Sequence, residues 1–273
     1  MTRSFRTNTR IAFALALPAL GISSIGMADT DNADLAKSLS NPVADLISVP
    51  FQYNYDQNIG PDDDGHRSTL NIQPVVPFSL SEDWNLISRT ILPIISQSDV
   101  APGAGSQSGT GDVVQSLFFS PKEPTANGWI WGVGPVFLLP TGSKDELTAD
   151  KWGAGPTGVV LRQQGPWTYG GLFNHIVDFA GDDDRGDISS TFLQPFMTYT
   201  TADAVSYTLN SESTIDWEND DSSVPINAII SKVVPIGGHP FSFGGGLRYW
   251  AKSTDNGPEG LGLRFQIVAL FPK

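Results

Sequence analysis

"ISVPFQYNY" at residues 47–55 and "TLNIQPVVPFSL" at residues 69–80 decide how this chain folds. In the first stretch Ile47, Val49, Phe51, Tyr53 and Tyr55 share one parity, while Ser48, Gln52 and Asn54 take the other. In the second, Leu70, Ile72, Val76, Phe78 and Leu80 stand against Asn71, Gln73 and Ser79. A helix cannot sort residues at period two, and a strand with one apolar face does. Runs of similar length recur as far as Phe271, and they place strands near 46–56, 68–80, 84–95, 111–120, 129–140, 152–163, 167–179, 188–200, 204–215, 223–234, 241–251 and 261–271.

Upstream of these runs, residues 1–28 have the layout of a secretory signal peptide. Arg3, Arg6 and Arg10 precede the apolar stretch "IAFALALPALGISSIG", and Gly26-Met27-Ala28 offers a small-residue cleavage site. Cleavage there leaves a mature chain from about Asp29, with the formal charge moving from −13 to −16 as the three arginines leave. No later segment reaches the roughly twenty uninterrupted apolar residues of a spanning helix. A membrane-spanning form of this chain therefore spans as strands.

The connections between the runs alternate in character. "SED", "PKEPTANG", "QGP", "TAD" and "IGGHP" are mostly short, whereas "QNIGPDDDGHR", "SQSDVAPGAGSQSGT", "TGSKDELTADK", "GDDDRGD", "DWENDDS" and "KSTDNGPEG" are generally longer and mostly acidic. Short turns at one end and long loops at the other are the outer-membrane pattern, and an even strand count returns both termini to the periplasmic side. The tryptophans follow the same division. Trp84, Trp129 and Trp167 come after short connections and Trp152, Trp217 and Trp250 beside long ones, as expected of two interfacial girdles. The fold class is all-β: a transmembrane antiparallel β-barrel of about twelve strands over 46–273, behind a cleaved signal peptide and a short helical or plug segment at 29–45. In that segment Leu35, Leu39 and then Val43 recur at near-helical spacing, and Asn41-Pro42 breaks or restarts a helix there.

With apolar faces toward lipid, the interior receives Gln52, Asn54, Asn71, Gln73, Asn85, Arg89, Asn174, Asp178, Gln194, Asn210, Glu212, Asn227, Arg248, Arg264 and Gln266. The runs at 111–120 and 152–163 are ambiguous in phase. Asp112 and Arg162 are placed inside because a charge on the lipid face costs about 2–4 kcal/mol near the midplane. Lys232 falls on an apolar phase near the periplasmic end and is expected to snorkel. The lumen and selectivity set is therefore Arg89, Arg162, Arg248 and Arg264 against Asp178 and Glu212.

A strongly acidic chain is no partner for nucleic acid. Without cysteine there is no disulfide framework, thiolate chemistry or Cys-based zinc site. The only histidines are His66, His175 and His239. His66 and His239 fall in loops on opposite sides of the membrane, and His175 has Asn174 and Asp178 nearby but no serine beside it, so no catalytic residue is assigned and no enzyme is expected. The acidic loops offer hard oxygen ligands without the spacing of a calcium loop, so they read as a solvated rim; no metal and no cofactor is assigned.

The segments "NPVADLISVPFQ", "LNIQPVVPFSLSEDWNLISRTILPI", "SLFFSPKEP", "WGVGPVFLLPT", "GPWTYGGLFNHIVDFAGD", "LQPFMTYT" and "FPK" span most of the mature chain. Together they resemble the outer-membrane transporter proteins of Gram-negative bacteria, related to the "MetA-pathway of phenol degradation" proteins and often mislabelled neuromedin U. The resemblance implies outer-membrane transport and supplies no catalytic motif; the chain departs from the usual outer-membrane ending, with Lys273 last and Phe271 two places earlier. The expected function is passive or substrate-selective passage of small solutes, small organic or aromatic compounds among them, through a monomeric barrel in contact with outer-membrane lipid and lipopolysaccharide. The alternatives are a non-conducting structural or surface-interaction barrel and an outer-membrane hydrolase.

Overall fold

The computed structural model describes residues 28–272, so the signal-peptide expectation for 1–28 lies almost wholly outside the described residues. Helix α1 (Ala28–Leu39) is followed by β1 (Ile47–Ile59), β2 (Gly65–Ile72), β3 (Val75–Ser79), β4 (Trp84–Ser98), β5 (Ser106–Thr110), β6 (Val113–Pro121), β7 (Trp129–Leu139) and β8 (Lys151–Gln164). The chain continues through β9 (Trp167–Gly181), β10 (Ser189–Thr200), β11 (Val205–Ser211), β12 (Ser213–Asp216), β13 (Asp221–Ile236), β14 (His239–Lys252) and β15 (Gly260–Phe271). The pairs β2/β3, β5/β6 and β11/β12 are each one stave broken by a bulge, so the fifteen segments form twelve staves. All ladders are antiparallel, and β1 pairs β15 from Ile47↔Phe271 to Tyr55↔Leu263, which closes the barrel and leaves no sheet edge.

The register fixes which face each residue takes. On β15 Leu263, Phe265 and Ile267 are 43%, 53% and 46% exposed while Arg264 between them is 1% exposed. The same division holds on β1, β10, β11, β13 and β14, where Phe51, Met197, Leu209, Ile230 and Leu247 point outward. The result is a continuous apolar belt, a surface that water does not tolerate and lipid covers.

Connections at one end are tight and those at the other are long. Gly237 and Gly238 both have positive φ, the backbone of a two-residue hairpin between β13 and β14. The chain described here begins and ends at this short-turn end.

At that end Trp84, Trp129 and Trp167 open β4, β7 and β9. They pack edge-on against Trp131 at 5.8 Å, Tyr169 at 6.4 Å and Tyr199 at 4.9 Å respectively. Trp152 and Trp217 are exposed at the opposite end, but Trp250 departs from the expected girdle: it shares the inward parity of Arg248 and bonds inside the barrel.

Two expectations about charge meet different outcomes. Lys232 lies on the outer face, exposed, near the short turns, as its phase required. Arg162 is also on the outer face and does not line the lumen: its neighbours Leu161 and Gln163 point inward, and it stands between Trp129 and Tyr169 across the ladders. The penalty invoked for a lipid-facing charge applies at the midplane and falls away at an interface, which is the level of this aromatic ring.

Helix α1 sits inside the barrel at the short-turn end. Ala36, with Ala33, Leu35 and Leu39 against it, packs on Leu46, Ala204, Val233, Val268 and Leu270. The helix stops at Leu39, just before Asn41-Pro42; Asn41 Oδ1 then accepts from the Val43 N–H at 3.0 Å, and Val43 buries against Ile87, Phe118, Val159, Leu161 and Leu172. Inward-facing apolar residues at this end of the barrel thus have a partner in this segment.

Candidate functional site

The polar lumen is shaped by the three broken staves, each of which frees one side chain from the ladder. Between β2 and β3 the break precedes Pro74, and Gln73 turns inward to accept from Arg89 Nη2 at 3.1 Å. Between β5 and β6 it frees Asp112, whose carboxylate accepts from Thr148 Oγ1 at 2.7 Å and from the N–H groups of Gly142 and Ala149 at 3.0 and 2.7 Å. This holds the loop of residues 140–150 over the inner side of β5, where Ser143 occupies the space a side chain at Gly109 would take. Between β11 and β12 the break lies opposite Pro225, which has no N–H to give, and Glu212 projects into the lumen.

Glu212 is the centre of an ion network. Arg264 grips it bidentately, donating from Nη1 at 2.8 Å and Nη2 at 2.6 Å, and donates from Nε to Asn54 Oδ1 at 2.7 Å. Arg248 donates to Glu212 from Nη1 at 3.1 Å, and its Nε lies 3.2 Å from Asp56 Oδ1. Trp250 completes the set: its indole N–H donates to Asp56 at 2.8 Å while the Arg248 guanidinium lies 4.6 Å from the ring centroid. Two arginines and two carboxylates from β1, β14, β15 and the β11/β12 break therefore neutralise one another across part of the lumen. Pairs this well satisfied are cross-links, and removing one member of such a buried pair typically costs about 3–5 kcal/mol.

Three cavities line up along the lumen. The outer one, about 320 Å³, is bounded by Asp56, Arg67, Asn71, Glu212, Arg248 and Trp250. A central one of about 190 Å³ lies between Gln52, Gln194, Phe196, Glu212, Arg264 and Gln266. The third, about 160 Å³, is lined by Pro42, Ser48, Gln73, Arg89, Leu172 and Gln194. Glu212 borders the first two and Gln194 the last two, so the ion network and the N-terminal segment divide the interior into three spaces.

The structure brings Arg248, Arg264 and Glu212 together, sets Arg89 apart beside Gln73, and places Asp178 near the long loops. Asp178 lies 3.5 Å from Lys151 and accepts from the Ile188 N–H at 2.8 Å, so it braces the rim. Burial disfavours the Lys151 charge, but its bonds with Asp187 and Asp178 outweigh that and raise its pKa above the ordinary lysine value. Asp56, Arg67 and Trp250 also line the lumen and are absent from the set read off the sequence: Arg67 lies one residue before the expected strand 68–80, whereas Asp56 and Trp250 fall inside expected strands. The strand at β2 begins at Gly65 and so includes Arg67, Asp56 shares the inward parity of Gln52 and Asn54, and Trp250 shares that of Arg248.

His175 faces outward. Its Nδ1 lies 2.9 Å from Thr191 Oγ1, which also accepts from the Trp217 indole at 2.8 Å, while Asn174 and Asp178 face the lumen. The bond from Asn219 Nδ2 holds the Asp216 carboxyl below its usual pKa range and fixes the turn that presents Trp217. Among the described residues no carboxylate contacts His175, and no group of acidic and histidine side chains gathers for a metal ion.

Fold and lumen define the class: a closed twelve-stave barrel of the outer-membrane type, with an apolar belt, a polar interior and an N-terminal helix packed inside one end. No protein-family model matches the sequence, and no curated protein matches it. Among solved structures the chain is similar to an outer membrane channel from Pseudomonas putida F1, with a TM-score of 0.65 and 15% identity over 83% of this chain and 95% of that one. More distant likenesses are the NanC porin, with a TM-score of 0.49 and 9% identity over 83% of this chain and 100% of that one, and outer membrane phospholipase A from Escherichia coli, with 0.46 and 10% over 84% and 98%. The Pseudomonas channel shares the barrel architecture over nearly its whole length.

Proposed function

We propose that this chain is an outer-membrane channel for small solutes, with the long acidic loops outside the cell and the short turns and α1 at the periplasmic side. The observation that carries this reading is the row of polar cavities inside a barrel whose outer face is apolar. A barrel of this kind exchanges lipid contact outside for a solvated path inside, and lumen side chains tune what passes. The plug and the Glu212 network narrow that path, which favours small solutes. A monomer suffices, since every strand edge is paired within the chain, and lipid and lipopolysaccharide are the expected surroundings of the belt and rim.

The plug equally favours a second reading, a non-conducting barrel that serves as a surface scaffold. Liposome swelling separates the two. The channel reading expects the mature chain to admit small solutes with a steep size cut-off, and no swelling by any solute, with or without residues 29–42, overturns it. A hydrolase reading is disfavoured because His175 and its sequence neighbours Asn174 and Asp178 take opposite faces of the wall, leaving the imidazole no orienting acid.

A further inference from the structure

The geometry points to Arg67 and Arg89 as two stations that hold the carboxylate of a small organic monoanion on its way through the lumen; this rests on the channel reading above. Arg248 and Arg264 are consumed by Asp56, Glu212 and Asn54. Among the described residues no carboxylate lies within ion-pair distance of Arg67 or Arg89, the nearest to Arg67 across the ladder being its register partner Asp56. Arg67 donates only from Nε, to Gln97 Oε1 at 2.8 Å, and Arg89 only from Nη2, to Gln73 Oε1 at 3.1 Å. Arg67 thus keeps both terminal nitrogens, and Arg89 keeps Nε and Nη1, without an acceptor among the described residues. Among the described residues Arg248 and Arg264 are matched by Asp56 and Glu212, Lys151 by Asp178 and Asp187, and Asp112 is held by neutral donors, so Arg67 and Arg89 stand outside these ion pairs.

The support behind each guanidinium is neutral and orienting. Gln97, which accepts from Arg67, donates to Gln107 at 3.2 Å, and Gln107 in turn donates to the Ala104 carbonyl. An amide chain of this kind fixes the arginine without cancelling its charge. An arginine held so, with its fork toward a cavity, is built for a planar carboxylate. Arg67 borders the outer cavity, whose volume of about 320 Å³ lies at the lower end of small-molecule sites. Asn71 and Trp250 also line it, offering a hydrogen bond and an aromatic edge to the body of such a ligand. Arg89 borders the third cavity with Ser48, Gln73 and Gln194. A single uncompensated arginine per cavity matches a monoanion, and two separated stations of moderate strength allow the ion to enter and also to leave.

The test uses the mature chain in detergent micelles and in liposomes, with benzoate as probe and benzamide as its neutral counterpart. Calorimetric titration is expected to show benzoate binding at least tenfold tighter than benzamide. R67Q should weaken benzoate at least tenfold and leave benzamide unchanged, and R67K should retain part of the preference because charge survives without the fork. Heat-modifiable gel mobility checks that each variant still forms the barrel. Equal binding of the two probes, or benzoate binding unmoved by both R67Q and R89Q, overturns the inference. The channel reading is tested separately by swelling with uncharged solutes: if these pass while the benzoate preference is absent, only the anion stations fall. If benzoate binds through Arg67 and nothing passes, the stations stand as a binding site and the channel reading falls.

Discussion

Replacing Glu212 with glutamine keeps the size of the side chain and removes the charge on which the lumen network turns. Arg264, 1% exposed, loses two charge-assisted bonds of 2.8 and 2.6 Å; it keeps Asn54 and can recover one neutral bond from the new amide oxygen. Arg248 loses its 3.1 Å contact and keeps Asp56. Breaking a buried pair on one side costs about 3–5 kcal/mol, and the surviving neutral bond returns about 1 kcal/mol of it, so the expected loss is about 3 kcal/mol. At about 1.4 kcal/mol per factor of ten this is roughly a hundredfold in the folding equilibrium. Urea unfolding of the micelle-bound barrel, followed by tryptophan fluorescence, reads it as a lower midpoint at unchanged slope. The same substitution adds one positive charge to the lumen, so the reversal potential in a salt gradient should move toward anion preference. An unchanged midpoint together with an unchanged reversal potential would refute the assignment of Glu212 as both cross-link and luminal charge.

Other consequences can be checked on the same preparations. Trp250→Phe removes the donor to Asp56 while leaving a ring beside Arg248, and the urea midpoint should fall by the equivalent of about 1–2 kcal/mol. Arg162→Ala should leave the reversal potential unmoved because the side chain is outside the wall, whereas Arg89→Ala should shift it toward cations. Gly238→Val places a β-branched residue at a φ of +84°, and the midpoint should drop by about 1–3 kcal/mol.

How much of this was legible without coordinates depends on whether a strand's two faces differ in chemistry. Along 47–55 and 69–80 they do, so orientation, lumen side and most of Gln52 to Gln266 could be read directly. In β8 the inward set includes Gly153, Gly155, Thr157, Val159 and Leu161, and the outward set includes Ala154, Pro156, Gly158 and Val160. Neither set is more polar than the other, so the face of Arg162 depends on its depth in the membrane, which the strand's own pattern does not carry. Pairing across strands was equally hidden. Arg248 and Glu212 were recognisable as luminal, but nothing in their spacing told that they bind each other while Arg67 and Arg89 remain uncompensated. Trp250 shows the same limit, since proximity to a long loop places a residue in height and says nothing about which face it takes.

Liposome swelling by the mature chain, with and without residues 29–42, tests the central claim most directly. Removing α1 and the turn after it takes away the packing on Leu46, Val233, Val268 and Leu270 and opens the periplasmic half of the lumen. The expected result is measurable flux of small solutes through the intact chain and a faster, less size-restricted flux through the shortened one. Absence of flux from both forms, with the barrel shown to be folded, would contradict it.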